Sequence, residues 1–290
     1  LVEFVDVKGL RIGYETFGDD QDEAMVLLSG LGGEMRDWSD EAVSQLVGAG
    51  FYVVRVDHRD SGVSSTVEVP VDIISAFLGN KAAASYTLMD MAADVKAVIE
   101  HLEIVEVHMV GASMGAMVAQ QFCISYPDSA LSLASIMSTT GSKSVGQPSK
   151  EVVEALLNGI APEMVKGKAS KNEASSLTPY VLGVEADIED VRDHLKEATA
   201  IVPSMDRILR QLAAIFVSGD RTQELKRLAI PTVVIHGDSD PVVDVSGGVA
   251  THEAVRGSKL VIIPGMGHEV NADNWPLIRD EIIKNAKTKR

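Results

Sequence analysis

A serine set between two glycines, Gly111-Ala112-Ser113-Met114-Gly115, directly follows the apolar run from Val105 to Val110. A strand that turns at once into a helix forces its middle residue into a strained backbone conformation, and a Cβ at either flank would meet the crossing chain. Glycine at both flanks relieves that crowding. The turn then projects the Ser113 hydroxyl from the end of a sheet, over the positive end of the following helix. Met117, Val118, Gln121 and Phe122 keep a helical period up to Tyr126-Pro127. A serine hydroxyl is a poor nucleophile at neutral pH. It needs a base within hydrogen-bond reach, most often a histidine held by a carboxylate.

Context separates the seven histidines of the chain. His108 and His236 fall in strand runs, His101 and His194 in helical runs, and His252 on a surface helix. His58 belongs to the turn Asp57-His58-Arg59-Asp60-Ser61-Gly62, whose polar groups read as structural. His268 differs, because it ends the loop Pro264-Gly265-Met266-Gly267-His268 after a strand. Such a loop can set an imidazole over the carboxyl edge of a sheet, where open α/β sheets gather their active sites. The carboxylate is expected from a loop at the same edge, and Gly237-Asp238-Ser239-Asp240-Pro241 offers two. Asp240 stands far enough past its strand to reach a neighbouring loop, whereas Asp238 can instead brace the turn. The residues favour Asp240 and leave Asp238 open. Ser138-Thr139-Thr140, at the end of another strand, has no acid to contribute.

A tetrahedral oxyanion needs two N–H groups aimed at one point. Met114, next to the serine and at the helix N-terminus, supplies one. Gly30-Leu31-Gly32-Gly33, after the strand Met25–Ser29, supplies the second through Leu31, with Gly32 in reserve. A phosphate-binding loop is the competing reading of Gly30-x-Gly32. It fails for want of a third glycine at the required spacing, and Glu34-Met35-Arg36-Asp37-Trp38 is a poor pyrophosphate helix start.

The elements that must carry these residues alternate as short apolar runs and helical patterns, which predicts βαβ units and a mainly parallel sheet. Eight strands are expected: Val2–Val7, Arg11–Thr16, Met25–Ser29, Tyr52–Asp57, Val105–Val110, Leu131–Met137, Thr232–His236 and Leu260–Ile263. The first two should form an antiparallel hairpin at one edge. A helix is predicted from Leu88 to Leu102, with Met91, Val95, Val98 and Leu102 on one stripe and Thr87 with Asp90 as its start signal. Between 139 and 229 the alternation stops. Only helical patterns remain there, at Val152-Leu156-Ile160, Ile188-Val191-Leu195 and Ile208-Leu209-Leu212-Ile215. The expected organisation is a core of residues 1–138 and 230–290 interrupted by a helical cap at 139–229, which must dock to bury its apolar faces. For Trp38 and Trp275 the sequence does not separate pocket wall from surface packing.

With 46% hydrophobic residues among 290, the chain can bury a large core. Its net charge of −16 argues against nucleic acid or an anionic membrane surface as partner, since both select a basic patch. The single cysteine, Cys123, cannot form an internal disulfide and reads as a buried small hydrophobe. No apolar run approaches the ~20 residues that span a bilayer. The N-terminus lacks a secretory pattern, so a cytoplasmic location is expected. No cluster has metal-ligand spacing, and neither a metal nor a cofactor is expected.

Taken together, the motifs resemble the α/β-hydrolase fold superfamily over nearly the whole length. The matching pieces are Ser29-Gly30-Leu31-Gly32 with Trp38, Asp57-His58-Arg59-Asp60-Ser61-Gly62-Val63-Ser64, Gly111 to Gly115, His236 to Asp240, and Gly265-Met266-Gly267-His268. The resemblance implies an eight-stranded, mainly parallel sheet with helices on both faces and an inserted cap. It further implies a triad of Ser113, Asp240 and His268, in the chain order of nucleophile-elbow enzymes, and an oxyanion hole at Leu31 and Met114. Ser29 stands where family members usually have histidine, which allows a small rearrangement of that loop. The variants of these motifs are most similar to aclacinomycin methylesterase-like carboxylesterases. The implied activity is hydrolysis of a small-molecule carboxylic ester. A carbon–carbon bond hydrolase or lactonase on the same triad is the alternative, and a non-catalytic small-molecule binder is the alternative of another class. With aromatics at only 4%, the pocket is expected to be aliphatic.

Overall fold

Successive residues of a strand face opposite sides of a sheet, and this alternation builds two separate cores. In β3 (Glu23–Leu28), Ala24, Val26 and Leu28 enter one core while Met25 and Leu27 enter the other. In β5 (Val107–Ala112), Val107 and Met109 divide from Val110 and Ala112 in the same way. Strands apolar on both sides must be covered on both sides, as parallel sheets are. A computed structural model, which describes residues 1–152 and 205–288, shows this arrangement.

The remaining strands are β1 (Glu3–Val7), β2 (Leu10–Phe17), β4 (Phe51–Val56), β6 (Ala130–Ile136), β7 (Thr232–Gly237) and β8 (Lys259–Ile263). They form one eight-stranded sheet in the order β1-β2-β4-β3-β5-β6-β7-β8. β1 and β2 form the expected edge hairpin, β2 runs antiparallel to β4, and every other pairing is parallel. All eight expected strands are present, with ends moved by one or two residues. The carboxyl ends of β3, β5, β7 and β8 therefore open on the same edge.

The helices Leu88–His101 and Met114–Ser125 cover one face. Thr87 Oγ1 accepts the Asp90 N–H while Asp90 Oδ2 accepts the Thr87 N–H at 2.8 Å, closing the expected cap. Asp40–Gly48 and Trp275–Ala286 cover the other face. There Trp38 and Trp275 pack edge to face, ring centres 6.1 Å apart. Both are buried, so they belong to this core rather than to a pocket wall or the surface.

Of the insertion expected at 139–229, the patterns at Leu156-Ile160 and Ile188-Val191-Leu195 lie outside the described residues, as does His194. The described part after residue 204 holds the helices Met205–Ser218 and Thr222–Leu225 and no strand. The first of these contains the Ile208-Leu209-Leu212-Ile215 stripe. Leu209, Ala213 and Val217 pack with Ile73 and Ala76 of the short helix Ile73–Phe77, a third apolar cluster outside the sheet cores.

Candidate active site

β5 ends at Ala112 and the next helix begins at Met114, so Ser113 alone makes the turn. Its φ of 55° lies in the left-handed region that side chains disfavour. Two close approaches hold it there. A Cβ on Gly111 would collide with the Gly115 carbonyl, and a Cβ on Gly115 with the carbonyls of Leu28 and Ser29. The Ser113 N–H donates to Ile136 O at 2.9 Å, and Ser138 Oγ donates to Ser113 O at 2.8 Å. Both backbone polar groups of the strained residue are thus satisfied from β6 and the residues just after it.

The loops after β7 and β8 are stitched to each other before either reaches the serine. The Asp238 N–H donates to Ile263 O and the Ser239 N–H to Met266 O. The Gly265 N–H donates to Asp238 Oδ1 at 2.7 Å. Asp238, the acid left open by the sequence, therefore braces the histidine loop. Asp240 points the other way. Its Oδ1 accepts the N–H groups of Val242 and Val243, each at 2.9 Å, and its Oδ2 lies 2.8 Å from His268 Nδ1. His268 Nε2 lies 2.8 Å from Ser113 Oγ. A carboxylate only accepts, so Nδ1 carries the proton and Nε2 is left to accept from the serine hydroxyl.

The same electrostatics keep Asp240 ionised. Burial alone would raise its carboxyl. Hydrogen bonds from His236 and His268, the positive charge His268 can carry and the Val243 N–H outweigh burial and hold the group well below the usual carboxylate range. His236, fully buried, donates from Nε2 to Val243 O at 2.8 Å and sits 3.4 Å from Asp240 Oδ2. The sequence reads it as a strand residue and as the first of the His236 to Asp240 motif; its place behind Asp240 has no signature in a chain read one residue at a time.

Beside the serine runs the loop Gly30–Gly33. A Cβ built on Gly30 would sit 3.3 Å from Ser113 Cβ and 3.8 Å from its Oγ, which is how closely the backbone passes this serine. Neither the Leu31 nor the Met114 N–H has a partner among the described residues. The Gly32 N–H, by contrast, donates to Gln211 Oε1 at 2.9 Å, so the reserve donor is already engaged. Ser29 Oγ donates to Glu34 O at 2.6 Å and closes the loop on itself.

A family model for the alpha/beta hydrolase fold matches residues 23–274. The chain belongs to the α/β hydrolase fold family. Rhodomycin D methylesterase of Streptomyces peucetius is 24% identical over 276 residues, 88% of this chain and 87% of that protein. The 2-hydroxy-6-oxononadienedioate/2-hydroxy-6-oxononatrienedioate hydrolase of Escherichia coli (strain K12 / DH10B) is 27% identical over 273 residues, 90% of this chain and 85% of that one. The crystal structure of the enol-lactonase from Burkholderia xenovorans LB400 matches with a TM-score of 0.76 over 99% of this chain and all of that one, at 18% identity, which shows the shared fold. A methylesterase among the relatives accords with the closer likeness carried by the short motifs.

Within this α/β hydrolase the turn after β4 is structural, as its sequence suggests. Asp57 Oδ1 accepts the Met35 N–H at 2.6 Å and Oδ2 the Val63 N–H at 2.9 Å, tying the turn to the segment after the glycine loop. His58 Nε2 donates to Ser29 O at 3.2 Å. Asp60, fully buried, takes a two-pronged contact from Arg210 at 2.9 and 3.0 Å and a hydroxyl from Tyr86 at 2.7 Å. Arg210 stands 150 residues away in the chain, on Met205–Ser218, so this ion pair holds that helix against the turn after β4. Cys123 is buried, and burial pushes its thiol up, away from the reactive thiolate.

Proposed function

We propose that the chain is a serine hydrolase that cleaves carboxylic esters of small molecules through an acyl-enzyme. The observation that carries this reading is the unbroken hydrogen-bonded series Ser113–His268–Asp240, with 2.8 Å at both links. Ser113 Oγ attacks the acyl carbon as His268 Nε2 takes its proton. Asp240 Oδ2 holds the Nδ1 proton and stabilises the imidazolium that forms. The carbonyl oxygen, now an oxyanion, accepts from the N–H groups of Leu31 and Met114. His268 returns the proton to the departing alkoxide oxygen, and the alcohol leaves. A water then gives its proton to His268 and attacks the acyl carbon, and on collapse the acid leaves while His268 returns that proton to Ser113 Oγ. Every step is served by side-chain and backbone groups of this chain, and the reading calls for no cofactor. Substrate choice is assigned to the cap at 139–229, whose aliphatic composition suits acyl chains better than flat stacked ligands. The ligand is a small ester, not nucleic acid or membrane, and the acidity of the chain suits a soluble cytoplasmic enzyme.

A second reading, hydrolysis of a carbon–carbon bond in a vinylogous diketone, draws support from the relative that acts on 2-hydroxy-6-oxononadienedioate. The two are separated by assaying p-nitrophenyl and methyl esters of increasing acyl length beside a dienedione. The proposal expects ester turnover well above dienedione turnover. Dienedione cleavage with inert esters overturns it.

A further inference from the structure

Met205–Ser218 meets the glycine loop through two residues one helical turn apart, Ile208 and Gln211, which share a face. A Cβ on Gly32 would lie 3.2 Å from Ile208 Cγ1, so this side chain rests on the Gly32 backbone. Gly32 itself has φ of +69°, a conformation that a freed loop would not keep by preference for any other residue. Gln211 is fully buried and spends its whole carboxamide on this junction. Oε1 accepts the Gly32 N–H at 2.9 Å, while Nε2 donates to Arg59 O at 3.0 Å and to Ser61 Oγ at 2.8 Å. Because Nε2 is committed to a carbonyl that can only accept, the amide cannot flip, and Oε1 stays fixed on Gly32.

We propose that Gln211 is a positioning residue for the oxyanion hole, resting on the serine-hydrolase reading above. By holding the Gly32 N–H, it rotates that group away from the reacting carbonyl and fixes the preceding peptide, so that Leu31 presents the donor beside Met114. Arg59 and Ser61 lie in the turn after β4, so the carboxamide clamps the glycine loop between that turn and the helix Met205–Ser218. Seating of the helix and readiness of the hole are then one event, set by a side chain that touches neither substrate nor serine.

The test is Gln211→Met, which keeps the length of the side chain and removes both hydrogen-bonding functions, assayed with a p-nitrophenyl ester. The expected result is a fall in kcat of about 10- to 100-fold, of the size seen when an oxyanion donor is displaced, with KM changed less than about threefold. Inhibition by an alkylboronic acid, whose tetrahedral serine adduct places an oxygen in the same hole, should weaken in parallel. Loss confined to KM, or to the fraction of folded protein, overturns the inference, as does unchanged kcat. If Gln211→Met does not fold, Gln211→Asn carries the test. It keeps a carboxamide for the turn after β4 but falls one methylene short of the Gly32 N–H, and it must show the same fall in kcat and in boronate affinity. Wild-type protein inert toward every ester and the boronate would overturn the serine-hydrolase reading itself, which is a different outcome from an active wild type with an unaffected variant.

Discussion

Asp240 and Asp238 stand two residues apart and do different work because their oxygens face different partners. Asp240 Oδ1 is held by the N–H groups of Val242 and Val243. In an Asp240→Asn variant that oxygen stays on the two N–H groups, which turns the new NH2 toward His268 Nδ1. The imidazole must then carry its proton on Nε2 and donate to Ser113 instead of accepting from it. The expected loss in kcat is on the order of 10⁴, the scale set by a wrong tautomer. Asp238→Asn keeps an oxygen for the Gly265 N–H, and esterase kcat should stay within a few-fold of wild type. The reverse ranking would assign the acid to Asp238. At this scale Ser113, His268 and Asp240 stood out in the sequence because each sits just past a strand in a glycine- or proline-marked loop, and the structure brings the three side chains together. Gln211 was not. Its partner Gly32 is 179 residues away, and a glutamine beside an apolar stripe reads as solvated; its one signal is that it falls three residues after Ile208, inside the stripe.

The elements were legible to within a residue or two wherever one pattern dominated. Continuous apolar runs marked β3, β5, β6 and β7, and Thr87 with Asp90 marked the start of Leu88–His101. The helices Asp40–Gly48 and Trp275–Ala286 were not singled out, since each buries only one narrow stripe and mixes it with charge. The turn after β4 shows how an element imposes a state on a residue. Burial drives the His58 imidazole down to about 4; its hydrogen bond to Ser29 opposes this and the charge of Arg59 adds to it. The unfolded chain, titrating near 6.5, therefore binds a proton that the folded chain refuses between those two values. The stabilising contribution of neutral His58 is complete above about pH 6.5 and is lost as pH falls through about 4. It amounts to about 3 kcal/mol. Urea unfolding across this window, with the imidazole followed by NMR, should show stability falling with pH and His58 still neutral at pH 5. A His58 titration near 6.5 contradicts this.

Across the whole molecule, the order of motifs carried more than any one of them. Ser113 and His268 stand 155 residues apart with Asp240 between them, and only a parallel sheet whose strand ends share one edge returns them to a point. Loop-to-loop bonds between the ends of β7 and β8 and the backbone collisions that glycine avoids at 111 and 115 complete the placement. None of these is visible in composition or period. The net charge of −16 bears on solubility and partners and leaves the chemistry untouched. The claim on which the rest depends is that this arrangement makes the Ser113 hydroxyl a nucleophile at neutral pH. Intact-mass measurement after incubation with an alkyl fluorophosphonate tests it directly. One adduct per chain, mapped to Ser113 and abolished by His268→Ala, is the expected result. An unlabelled wild-type chain, or labelling that survives loss of His268, would contradict it.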